Sequence, residues 1–131
     1  MKRTQERENA FILVYEASIN KLGIEELIDS AKEDSEIEID DFVKEEVYGV
    51  FDNLEKIDSV IDRNCTKWDI KRVSKIALAA LRIACYEIMF KDDIPVNVSI
   101  NEAVNLTKKY AGEDDSAFIN GVLGAISKIQ L

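Results

Sequence analysis

Six apolar residues, Val43, Val47, Val50, Leu54, Ile57 and Ile61, recur at intervals of 4, 3, 4, 3 and 4. That spacing keeps one side of an α-helix apolar and cannot match the two-residue period of a strand. Phe42, Tyr48 and Phe51 add a second stripe. The pattern therefore predicts one continuous helix over 43–61, capped by Asp40 and buried on more than one side. Five glycines and a single proline in 131 residues supply too little turn material for a β-sandwich or barrel. The chain reads as all-α and, at this length, as one domain.

The other periodic segments agree. The run Ala10-Phe11-Ile12-Leu13-Val14-Tyr15 is ambiguous by length, but Thr4 can cap it and Glu6 and Glu8 suit a helix start. Ala10, Phe11, Val14, Ala17 and Ser18 then share a face. A short helix is expected over 24–31 on Ile24, Leu27, Ile28 and Ala31, followed by a polar loop over 33–38. Thr66-Lys67-Trp68-Asp69 fits a capping box opening a long helical run. Its centre, Ile76 to Phe90, carries only Arg82 and Glu87 as charges and is shorter than the ~18 residues of a membrane span. It reads as the central buried helix, stopped before Pro95. Ser99-Ile100-Asn101-Glu102 is a second capping box, opening a helix with Ala103, Val104, Leu106 and Tyr110 that ends at Gly112. Asp114 or Asp115 is expected to cap a last helix with Phe118, Val122, Ala125, Ile126 and Ile129 inward. Asn120-Gly121 is also a hairpin signal. No alternating strand flanks it, so the segment is assigned to helix, with Gly121 and Gly124 admitting a close neighbour.

The net charge of -9 is unevenly spread. Residues 25–62 hold three bases and fifteen acids, whereas 63–82 hold six bases (Arg63, Lys67, Lys71, Arg72, Lys75, Arg82) and one acid. Two faces with different partners, or simple solubility, would both produce this. The absence of histidine removes Ser-His-Asp and Cys-His catalysis and every His-containing zinc site. Cys65 and Cys85 are too few for a disulfide framework or a thiolate cage. No phosphate loop or calcium loop is present, and Asp92-Asp93 and Glu113-Asp114-Asp115 read as helix-start acids. Neither an enzyme nor a cofactor is expected. The polar N-terminus shows no secretory signal, which makes the cytoplasm the default. Arg82, inside an apolar helix, must either pair with an acid from another helix or emerge at a surface that matters, because Glu87 five residues on is a poor same-face partner.

Three blocks carry a family resemblance: Leu81-Arg82-Ile83-Ala84-Cys85-Tyr86-Glu87-Ile88, then Ile94-Pro95-Val96-Asn97-Val98-Ser99-Ile100-Asn101-Glu102-Ala103-Val104, then Phe118-Ile119-Asn120-Gly121-Val122-Leu123. Their order and spacing resemble the NusB family, and Arg7-Glu8, Ala10 and Val14-Tyr15 look like that family's opening helix. The resemblance spans essentially the whole chain and is weakest in the acidic middle. It implies a single RNA-binding domain over 1–131, all-α, of two small helical bundles packed across each other, an N-terminal half over 1–62 and a C-terminal half over 63–131. It also implies a transcription antitermination factor that binds boxA-type single-stranded RNA with NusE, a small-subunit ribosomal protein, and promotes read-through by RNA polymerase in ribosomal RNA operons. Related modules occur ahead of an RNA methyltransferase domain, which would be absent from a chain ending at Leu131. The family's basic leader falls on Lys2, Arg3 and Arg7, with Thr4, Gln5 and Glu6 where relatives are often basic. Tyr15 and Phe118 match aromatics near the RNA and partner surfaces, although spacing alone reads both as core. Arg82 and Asp114 are assigned to the partner surface, and the acidic surplus of 25–62 is expected to steer a basic NusE. The rival reading is a non-catalytic protein adaptor whose RNA contact was lost with the thinned leader.

Overall fold

The computed structural model describes residues 1–20, 22–34, 37–65 and 70–130. Among the described residues, seven α-helices follow in order: α1 (Arg3–Ile19), α2 (Ile24–Asp34), α3 (Asp41–Asp52), α4 (Leu54–Arg63), α5 (Lys75–Phe90), α6 (Val96–Ala111) and α7 (Glu113–Gln130), with a 3₁₀ turn at Ile70–Arg72 before α5. No strand occurs among the described residues. The Asn120-Gly121 step lies within α7, as its apolar period demands.

α5 is the centre. Ten of its sixteen residues are buried, including Ala77 through Leu81 and Ile83 through Glu87, and a helix apolar nearly all round must be covered on every side. α1, α3, α4, α6 and α7 all pack on it, and α1 also lies against α3. The short Pro95 connection folds α6 back along α5, and Gly112, at φ 100°, turns the chain from α6 into α7. No helix among the described residues is long and apolar enough to cross a membrane.

Several local expectations need correction. The 43–61 seam is broken into two helices at Asn53, whose side-chain amide donates to the Gly49 carbonyl at 2.8 Å. Val43, Val47, Val50, Ile57 and Ile61 remain fully buried, but Leu54, next to the break, is only half-buried. Asp40 does cap α3, accepting from the Val43 N–H at 3.0 Å. Thr4 is not a cap: α1 begins one residue earlier, at Arg3. The Thr66–Asp69 box lies outside the described residues, and α5 is capped instead by Ser74, which accepts from the Ala77 N–H at 3.1 Å. α6 starts at Val96, placing Ser99 inside the helix and buried. α7 starts at Glu113 and turns Ile119, Val122, Leu123 and Ile126 inward, leaving Ile129 exposed.

Glycine matters at a different place from the one expected. A Cβ at Gly121 or Gly124 would meet nothing within 4 Å, so neither admits a close neighbour. A Cβ at Gly49 would lie 2.3 Å from the Tyr86 ring. Tyr86 therefore packs directly on the α3 backbone. Gly49→Ala should destabilise the fold by about 1–3 kcal/mol, because this ring cannot be overpacked freely. Gly121→Ala, in exposed helix, should instead stabilise it by about 0.5–1 kcal/mol. Urea unfolding of both variants measures the contrast, and equal effects would mean that Tyr86 does not sit on Gly49.

Candidate nucleic-acid interface

The charges of the α5 motif are satisfied from two directions. Five residues along a helix places Arg82 and Glu87 about 140° apart around its axis. Arg82 turns toward α4 and donates to both oxygens of Asp58, Nε at 2.9 Å and Nη2 at 2.8 Å. This is the first of the two outcomes expected for it, an ion pair with another helix, in the planar two-point geometry that suits guanidinium and carboxylate. Glu87 turns toward α1, where its Oε2 accepts from Arg7 Nε at 2.8 Å, and its Oε1 accepts from Ser99 Oγ at 2.6 Å.

This geometry corrects the picture of Arg7 as an exposed leader base. Arg7 is 3% exposed, and Glu87 is fully buried. A guanidinium at this depth requires a carboxylate, and α5 supplies one at the same level. Glu102 of α6 lies 3.8 Å from Arg7 Nη1 and accepts from Thr4 Oγ1 at 2.9 Å. Ser99 and Glu102 therefore hold α6 to α5 and α1, where a capping role was expected.

A second buried acid adjoins the pair. Glu46 of α3 is 1% exposed, and its Oε1 has no hydrogen-bond partner. Burial first, then hydrogen bonding to Glu87 and its charge, raise the Glu46 carboxyl far above the carboxylate range, with Arg7 opposing. One arginine balances one carboxylate, so Glu46 is the neutral acid at pH 7. Sequence reading missed it because its neighbour Glu45, which pairs with Lys91, sits on the exposed side of the same acidic helix.

The rest of α1 builds a surface. Phe11, Ile12, Tyr15 and Glu16 form a groove of about 300 Å³ with Ile76 of α5 and Tyr110 of α6. The Phe11 and Tyr110 rings lie 5.4 Å apart at 40°. Tyr15 thus lines an open recess, half-buried, and its partners Phe11 and Tyr110 were legible as apolar helix positions but not as one site. The Lys108-Lys109-Tyr110 run was the available signal. Glu8, one turn ahead on α1, accepts from Lys109 Nζ at 2.7 Å and from the Tyr110 hydroxyl. Burial pushes the Glu8 carboxyl up, but those two hydrogen bonds outweigh it and hold it below its ordinary value. Lys71, Arg72 and Lys75 are exposed on the approach to α5.

The other expected site residues are dispersed. Lys2 and Arg3 are exposed at the start of α1, roughly 18 Å along the helix from Tyr15. Arg3 lies 4.0 Å above the Phe42 ring and pairs with Glu6 at 3.3 Å. Phe118, on α7, is half-buried against the core and is not among the groove residues. Asp114 is exposed in the first turn of α7, beside Asp115, which accepts from Ser74 Oγ at 2.9 Å.

Such a scaffold, rigid inside and carrying an aromatic groove beside exposed lysines, defines an all-helical recognition module. Residues 4–128 match the model of the NusB family, and the chain belongs to that family. It is 48% identical over 126 residues to the transcription antitermination protein NusB of Clostridium acetobutylicum, covering 95% of this chain and 93% of the relative. It is 45% identical over 130 residues to the protein of that name from Ruminiclostridium cellulolyticum, covering 98% and 90%. A chain from the crystal structure of antitermination factors NusB and NusE with double-stranded RNA superposes at a TM-score of 0.86, with 30% identity, covering 97% of this chain and 96% of that one.

Two outcomes test the buried cluster. Arg7→Ala should destabilise by about 3–5 kcal/mol, since it strands the Glu87 charge. Glu46 has a folded value raised above its unfolded value of about 4.3, so the folded state holds one extra proton through neutral pH. Its contribution is complete below that unfolded value and is lost as pH rises toward the folded one, at about 1.4 kcal/mol per pH unit. The chain has no histidine to share this window. Urea unfolding between about pH 5.5 and 7 should show Glu46→Gln with a flatter dependence than the parent. An unaltered slope would mean that Glu46 is ionised.

Proposed function

We infer that this chain is a transcription antitermination factor that binds RNA together with NusE within an RNA polymerase complex. The carrying observation is the near full-length 48% identity to a NusB antitermination protein. The related NusB–NusE–RNA complex supports the choice of partners. The finer reading is that the RNA is a boxA-type single strand in ribosomal RNA operons and that residues 1–131 act as one cytoplasmic RNA-binding unit. The unit is taken as an N-terminal half over 1–62 and a C-terminal half over 63–131, with α1 bridging them by packing on α3 and α5. Unpaired bases stack on aromatic faces while lysines hold phosphates, and the Phe11–Tyr15–Tyr110 groove beside Lys109 offers both. Lys2 and Arg3 extend the basic surface, and Asp114 and the Arg82–Asp58 edge are assigned to the protein partner.

The reading is non-catalytic. Burial pushes the Cys85 thiol up to about 12 and raises Cys65 as well, which disfavours the thiolate a nucleophile requires. The most perturbed carboxyl, Glu46, is sealed in the core. One observation favours the adaptor alternative: with Arg7 buried, the leader presents only Lys2 and Arg3, and Arg3 is already held by Glu6 and Phe42.

Filter binding of boxA-like RNA, with and without NusE and at several salt concentrations, separates the readings. Binding should strengthen with NusE. Tyr15→Ala should cost about 1–3 kcal/mol with little change in the salt slope, as expected for lost stacking. An RNA that fails to bind even with NusE present leaves the adaptor.

A further inference from the structure

Lys109, a cation at the edge of the aromatic groove, is already paired. Lys109 is 61% exposed, yet its ammonium reaches Glu8, whose side chain is 12% exposed. The same Glu8 oxygen accepts from the Tyr110 hydroxyl. Lys109 Nζ also lies 5.3 Å from the Tyr110 ring, and that ring packs on Phe11 inside the groove. One carboxylate therefore fixes both a phosphate-binding charge and a base-stacking ring. An anionic backbone on this rim would meet a neutralised lysine and a negative oxygen of comparable chemistry to its own.

We propose that Glu8 is an internal competitor for RNA phosphate, holding Lys109 and Tyr110 in a closed arrangement that RNA opens by exchanging the Glu8–Lys109 pair for a phosphate–Lys109 pair. This rests on the RNA-binding reading above and adds a residue that sets its strength. The exchange trades one ion pair for another, so it contributes little affinity but consumes a salt-sensitive contact. The result is a site held weak by design of its own helix, in keeping with a chain whose net charge is -9.

The test uses the full chain with NusE and boxA-like RNA, comparing Glu8→Gln, Lys109→Ala and the double variant, each checked for native helicity. Gln keeps an acceptor for Tyr110 but no charge for Lys109. Glu8→Gln should bind several-fold tighter and steepen the log-affinity against log-salt slope by about 0.7–0.9, because the phosphate–Lys109 contact is then no longer offset by a broken Glu8 pair. Lys109→Ala alone should weaken binding modestly through the lost phosphate contact, and the double variant should bind no tighter than Lys109→Ala. A gain that survives without Lys109 would show plain repulsion between Glu8 and phosphate and overturn the exchange. A parent that binds while Glu8→Gln matches it in affinity and slope would overturn the exchange and leave the RNA-binding reading standing. A silent parent with a binding Glu8→Gln would support it, and silence in both would overturn both readings.

Discussion

The Arg7–Glu87 ion pair is the contact on which the arrangement of the other helices depends. It joins α1 to α5 in a place where neither charge can be solvated, 3% and 0% exposed. Its surroundings complete it: Ser99 from α6 fills the second oxygen of Glu87, and neutral Glu46 from α3 faces it. Four helices thus meet around one charge pair. A buried pair of this kind adds little net stability relative to apolar residues, but removing one partner is costly, so its effect is to specify which helix faces meet. Glu87, Ser99 and Glu102, from the blocks that carry the family resemblance, belong to this cluster, and Arg82 from the same blocks is its counterpart on the opposite side of α5.

That internal arrangement has a consequence at the surface. Once Arg7 is committed inward, α1 is divided lengthwise. Its inner face carries the ion pair and Ala10, Leu13 and Val14, and its outer face carries Glu8, Ile12 and Tyr15. The register of α1 against α5 and α6 then decides that Phe11, Tyr15, Ile76 and Tyr110 line a common groove. A base-stacking surface on an acidic protein needs such local organisation, because the long-range field opposes an approaching phosphate backbone.

Apolar spacing located the helical segments but joined α3 and α4 into one, since a period of 3.6 is a local property. Apart from the helix break at Asn53, the errors fell where side chains chose partners far along the chain. The 43–61 seam has the spacing of a single helix, and only the turn at Asn53, with its bond to Gly49, divides it. Ser99 has the sequence context of a cap, but Glu87 offers its hydroxyl a buried acceptor one helix away. Arg7 looked like a leader base because its neighbours are polar; its true partner lies eighty residues on. Gly49 had no sequence signal to set it apart from Gly121, because the ring that excludes a side chain there comes from α5.

The sequence by itself determined the helices, the central place of the Ile76–Phe90 segment and the family, because these depend on periodicity and on residue order along the chain. Only the tertiary structure decided which charges are buried and which remain at the surface. Burial is a property of facing helices, and a guanidinium or carboxylate takes its chemistry from what faces it. Arg7 and Lys109 look alike in the sequence as bases near aromatics. One is sealed beside Glu87 and holds the fold, and the other is held at the rim by Glu8.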